Sequence, residues 1–170
     1  MNNPIAEYLN SQSPQQLNAV LETCCASGSW IEAMIADGEF ASDEQLMTRA
    51  ENVWADLAEA DYLEAFLAHP RIGDVDSLRE KYANTKAIAG GEQSGVDSAD
   101  EATLLRLSKA NDEYFDKFGF IFIVCATGKS AKQMLEILED RLSNERDDEV
   151  ANAAAEQLKI TKIRLGKLIQ

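Results

Sequence analysis

The sequence predicts an all-α fold, and three observations predict it. Helix-starting signals recur along the chain, the apolar residues between them fall three and four apart, and the one strand-like run has no partner strand. A single domain over residues 1–170, a bundle of about seven to nine helices, is the expected architecture.

Ser13-Pro14-Gln15-Gln16 opens the first clear helix. Serine caps it, proline takes the first helical position, where no N–H is needed, and Gln16 completes a capping box. Leu17, Val20, Leu21 and Cys24 then share a face, and Ser27-Gly28 is expected to end the run. Trp30 to Ala36 reads as a short helix stopped near Gly38. Ser42-Asp43-Glu44-Gln45 is a second capping box, followed by Leu46, Ala50, Val53, Trp54 and Leu57 on one face. Asp61 caps a shorter helix carrying Tyr62, Leu63 and Phe66. Pro70 pushes the residue before it out of the helical region, so this helix should stop at Ala68 and leave His69 at the mouth of a turn.

Between Gly73 and Asp97 the periodicity loosens. Leu78 to Tyr82 suits a helical turn or two. Ala89-Gly90-Gly91-Glu92-Gln93-Ser94-Gly95 is polar and glycine-rich, so its backbone can approach a ligand closely; on composition alone a surface loop is the simpler reading. Ser98-Ala99-Asp100-Glu101 caps a long helix with Leu104, Leu105, Leu107, Ser108, Asn111, Tyr114, Phe115 and Phe118 on a broad buried face, and Gly119 is placed to end it. The apolar run Phe120 to Cys125 reads as an extended segment or a buried helical start threading the core. Thr127-Gly128-Lys129-Ser130 lacks the upstream glycine of a phosphate-binding loop. Ser130 caps Ala131 to Ser143, with Met134, Ile137, Leu138, Arg141 and Leu142 at helical spacing. The last helix, Asp148 to Leu168, starts acidic and ends with Lys159, Lys162, Arg164 and Lys167, which suits the helix dipole.

Charge narrows the function. Lys and Arg number 16 against 30 Asp and Glu, a formal net charge of -14. So acidic a surface repels phosphate backbones and anionic lipid, which argues against nucleic-acid and membrane partners. An anionic small molecule would need a local cation to hold it. Cys24, Cys25 and Cys125 form no CxxC pattern, so no metal site is expected, and their number and spacing suit reduced thiols in the cytoplasm. There is no membrane-length apolar run, no signal peptide pattern and no peroxisomal tripeptide at Leu168-Ile169-Gln170.

His69 is the only histidine, and with Glu92, Gln93 and one arginine it makes up the chemistry the pattern offers. Neither a nucleophile elbow nor a cofactor fingerprint is present, so an enzyme here would rely on acid–base and electrostatic catalysis. Arg164 shares a helical row with Ile160 and Leu168, as a rim cation or as a carboxylate receptor. Trp30, Trp54, Phe120 and Phe122 read as core, Arg71 as a structural ion-pair partner, and Glu101, Glu113 and Asp147-Asp148-Glu149 as solvated or capping charges.

The run His69-Pro70-Arg71-Ile72-Gly73, the spaced Glu92-Gln93-Ser94-Gly95, and Asn111-Asp112-Glu113-Tyr114 leading to Lys117-Phe118-Gly119-Phe120-Ile121-Phe122-Ile123 closely resemble the OHCU decarboxylase family. Further matches are Leu9-Asn10, Cys25 to Trp30, Arg141 to Asn144 and Lys159 to Leu165, so the resemblance covers most of the chain. It implies decarboxylation of 2-oxo-4-hydroxy-4-carboxy-5-ureidoimidazoline (OHCU) to (S)-allantoin in urate degradation, without a cofactor and commonly as a homodimer. It further implies His69 as proton donor, with Glu92 beside the imidazole or the scissile carboxylate. Pro70, Ala89, Gly90, Gly91, Gln93, Arg164 and the backbone of Gly119, Phe120, Ile121, Phe122 and Ile123 would bind substrate. The chain departs from the family pattern at Ala89, where many relatives have serine, and at Ile121, where proline is common; isoleucine restores an N–H. Two other readings share these residues: a non-catalytic helical interaction module, and a cofactor-free hydrolase or lyase acting on another ureide.

Overall fold

The computed structural model describes residues 2–69, 101–125 and 128–169, and among them are eight helices and no β-strand. These are α1 (Pro4–Asn10), α2 (Pro14–Cys24), α3 (Gly28–Ala36), α4 (Asp43–Ala55), α5 (Glu59–Leu67), α6 (Glu101–Phe118), α7 (Ala131–Leu142) and α8 (Arg146–Gly166). None of the described helices is long and apolar enough to cross a membrane. Contacts divide the chain into two compact units, Met1–His69 with Val150–Gln170, and Pro70–Glu149.

In the first unit the expected caps form. Ser13 and Gln16 make a full capping box at α2, and Ser42 accepts from the Gln45 N–H at 2.9 Å at α4. Asp61 is a correction: Ala58 is the N-cap of α5, and Asp61, the third residue of the helix, reaches back to accept from the Ala58 N–H at 3.1 Å. Helix α5 ends at Leu67 with Ala68 as its cap, as the proline requires. Ser27-Gly28 does the opposite of what was expected. Rather than ending α2, Ser27 is the N-cap of α3, its buried hydroxyl accepting from the Trp30 N–H. Helix α1 was not foreseen, because its cap comes from elsewhere: Asp43 accepts from the Ala6 N–H at 2.8 Å, while Asn3 accepts from the Asp43 N–H at 3.2 Å. Two helix starts thus cap each other across 37 residues of sequence.

The first core contains Leu9, Leu21, Trp30, Met34, Leu46, Ala50, Phe66, Ala153 and Leu165. Both tryptophans are core, and each indole N–H is satisfied: Trp30 donates to Ala50 O at 3.3 Å and Trp54 to Ala154 O at 2.9 Å. Arg49 is buried as well. Its guanidinium donates to the carbonyls of Met34, Gly38 and Glu39 at 2.9, 2.8 and 3.0 Å and lies over the Phe40 ring.

The second unit packs α6 against α7. Leu104, Leu107, Asn111, Tyr114 and Phe118 point inward, whereas Leu105 is 55% exposed, a correction to the broad face expected. Leu104, Leu105 and Leu107 cannot all face one way at 3.6 residues per turn. Gly119 ends α6 at φ +82° as expected, its N–H donating to Phe115 O at 2.8 Å. Residues 120–125 run on without helix or strand, with Phe120, Phe122 and Ile123 buried, and Tyr114 meets Phe118, Phe120 and Phe122 at 4.5, 5.8 and 5.5 Å.

Arg141 and Glu149 form a buried ion pair at 2.8 Å behind this segment. Glu149 also accepts from Tyr114 and from Asn144, and Arg141 donates to Ile123 O at 2.7 Å. Glu149 is therefore no solvated cap; it is 0% exposed. Its two acidic neighbours, Asp147 and Asp148, are exposed as expected, and Glu113 pairs with Arg106 at the surface.

Candidate functional site

His69 follows directly on α5. Its backbone N–H still closes the last turn on Phe66 O at 3.1 Å, so the imidazole leaves the helix from a fixed point. The ring is half-buried, and its Nε2 meets Gln157 Oε1 at 2.5 Å. Gln157 lies on α8, 1% exposed, and its amide nitrogen donates to Thr161 Oγ1 at 3.0 Å. Thr161, itself 2% exposed, lies beside the Cys25 thiol. Gln157, Thr161 and Arg164 fall four and three residues apart, so one face of α8 carries all three.

Arg164 is exposed. Among the described residues its guanidinium makes one hydrogen bond, a long one to Thr23 O at 3.5 Å. Its charge reaches His69. Burial holds the imidazole below its ordinary pKa, the Gln157 hydrogen bond works against that, and Arg164 adds to the lowering. The ring is accordingly neutral at neutral pH. Burial also raises both nearby thiols, Cys25 to about 11, against its hydrogen bonds with Ser27 and Thr161. They stay protonated and serve as packing, not as nucleophiles. All three cysteines are free.

The structure thus brings His69 and Arg164 within electrostatic reach of each other. Pro70, Arg71, Ala89, Gly90, Gly91, Glu92, Gln93 and the turn expected at Leu78 to Tyr82 lie outside the described residues. Gly119, Phe120, Ile121, Phe122 and Ile123 belong to the second unit, where Arg141 holds the Ile123 carbonyl and Ile121 is half-buried. Gln157, Thr161 and Cys25 were missed as neighbours of the histidine. Counting back from Arg164 by helical steps would have found the first two, since a glutamine on the apolar side of a helix needs a polar partner. Among the described residues no cluster of three His, Cys, Asp or Glu is placed to hold a metal.

A single half-buried imidazole bonded to a buried carboxamide, with an exposed arginine in electrostatic reach, is an arrangement that can serve acid–base chemistry in a helical protein. The comparisons make this specific. The sequence model for OHCU decarboxylase matches residues 10–166, and the chain belongs to that family. It is similar to the uric acid degradation bifunctional protein TTL of Arabidopsis thaliana, 37% identical over 148 residues, covering 86% of this chain and 45% of that protein. It is also similar to the 2-oxo-4-hydroxy-4-carboxy-5-ureidoimidazoline decarboxylase of Halalkalicoccus jeotgali, 30% identical over 129 residues, 76% of this chain and 70% of the other. Among solved structures it matches an OHCU decarboxylase crystallised in the presence of (S)-allantoin, with a TM-score of 0.68 and 33% identity over 86% of this chain and 94% of that one. The chain spans 45% of the length of the Arabidopsis protein and 32% of PucL of Bacillus subtilis, a second bifunctional relative.

Proposed function

We propose that this chain is a cofactor-independent decarboxylase that converts OHCU to (S)-allantoin and CO2. The observation that carries the reading is His69: the family's proton donor falls on the one imidazole, held neutral and oriented by α8 with Arg164 in electrostatic reach. As the C–CO2 bond breaks, its electron pair passes into the conjugated C=N unit of the substrate ring. A proton from His69 then replaces CO2 on one face, and the imidazole is reprotonated from water. The donating form is the imidazolium, formed when the resting neutral ring takes up a proton from solvent, and burial makes it a stronger acid than free histidine.

Glu92 polarises the imidazole or strains the departing carboxylate. Gln93 and the backbone from Gly119 to Ile123 offer donors and acceptors for the amide groups of the substrate, and Pro70, Ala89, Gly90 and Gly91 are assigned to substrate binding with them. The reading extends to one functional domain over residues 1–170, working as a homodimer in the cytoplasm.

The test generates OHCU in situ from urate with urate oxidase and hydroxyisourate hydrolase, then follows circular dichroism. Rapid growth of the (S)-allantoin signal is expected. Slow, racemic decay at the rate seen without the protein would sink the reading in favour of a binding module. A narrower expectation concerns Arg164. Its forked donors suit an anionic oxygen, so Arg164→Ala should weaken binding of allantoin or a carboxylate analogue by about tenfold to a hundredfold, the loss of one charge-assisted hydrogen bond. Unchanged affinity by titration calorimetry would remove it as an anchor.

A further inference from the structure

The proposed reaction makes no use of Gln157, yet this is one of the most deeply buried polar side chains in the first unit, 1% exposed and bonded at both ends of its amide. We infer that Gln157, backed by Thr161, is a positioning residue that fixes His69 as its Nε2–H tautomer and leaves Nδ1 as the nitrogen that exchanges a proton with substrate. The inference rests on the decarboxylase reading and deepens it.

The argument is one of direction. A carboxamide has distinct ends: its nitrogen only donates and its oxygen only accepts. The nitrogen of Gln157 is committed to Thr161 Oγ1 at 3.0 Å, so the oxygen faces the ring, 2.5 Å from Nε2. An acceptor there requires a proton on Nε2. Thr161 Oγ1 receives the Gln157 N–H through a hydroxyl lone pair. The two bonds run the same way, from imidazole to carboxamide and from carboxamide to hydroxyl. The opposite tautomer would set two lone pairs against each other in a buried site. In the neutral ring Nδ1 is therefore bare, and the proton that comes and goes does so at that atom.

The chain has a single histidine, so nitrogen-15 NMR of the imidazole reads one ring without assignment. Above the titration midpoint the parent should show a protonated Nε2 and an unprotonated Nδ1. That midpoint should lie below the ordinary histidine value, with Arg164 as the charged side chain on α8 that bears on it. Gln157→Leu should mix the tautomers and lower kcat about tenfold, as for one lost oriented hydrogen bond, with KM little changed. Gln157→Glu keeps an acceptor toward Nε2. It should restore the tautomer and most of kcat relative to Gln157→Leu, and move the midpoint upward, because a carboxylate favours the imidazolium against the opposing charge of Arg164.

An Nδ1–H form dominating in the parent, or an undiminished kcat in Gln157→Leu, would overturn the inference. The two readings fail separately. A parent with the Nε2–H ring and no turnover refutes the decarboxylase assignment, whereas an active parent with the Nδ1–H ring refutes only the role given to Gln157.

Discussion

Replacing His69 with Asn is expected to lower the rate of allantoin formation by on the order of 10²–10⁴-fold, the usual share of a positioned acid–base group. The fold should survive. The side chain lies beyond the end of α5, and the last hydrogen bond of that helix uses the backbone of His69, which asparagine retains. What is lost is the proposed proton donor and the contact with Gln157. Initial rates by circular dichroism, with a thermal melt of the same sample, check both halves. A variant that forms optically active allantoin at the parental rate would show that another group protonates the ring carbon.

The second large effect is on stability. Glu149→Ala should destabilise the protein by about 3–5 kcal/mol, the range for removing one partner of a buried ion pair. The Arg141 guanidinium would stay behind, buried, with its Nε and one Nη bereft of the carboxylate and only Ile123 O and the Tyr114 hydroxyl as partners. The midpoint of urea denaturation reports the loss, and a variant as stable as the parent would contradict it. Removing both charges with apolar residues, as in Arg141→Met with Glu149→Leu, should recover much of the deficit because neither ion then has to be desolvated. The pH dependence has a definite sign. Burial pulls the Glu149 pKa upward, but hydrogen bonds from Arg141, Tyr114 and Asn144 outweigh it and hold the carboxyl below its ordinary value. Its contribution is therefore full above the pKa of the unfolded chain, and is lost as pH falls through the lowered folded value.

Local signals were readable from sequence where the residues that form a feature are neighbours in the chain. Ser13 with Gln16, Ser130 with Gln133, and Gly119 at the end of α6 each act within four residues, and each was placed correctly. Features built by distant residues were not. Helix α1 depends on Asp43, and Glu149 looks like one more acid at a helix start until Arg141, Tyr114 and Asn144 converge on it. Ser27 was read as an ending because serine followed by glycine suits either side of a break; the Trp30 N–H decides between them. In the candidate site, His69 stood out by its uniqueness and by the proline after it. Gln157 did not, because only its helical spacing from Arg164, and no motif of its own, marks it before the imidazole it holds is known.

Arg49 carries a further consequence. Helix α3 has no basic residue in its own last turn, and the charge that gathers its trailing carbonyls comes from the middle of α4. Excised as a peptide, residues 28–36 would lack that clasp and fray from the carboxyl end. A lysine in place of the arginine, with one ammonium where three oxygens wait at the tines of a fork, would leave the knot half tied.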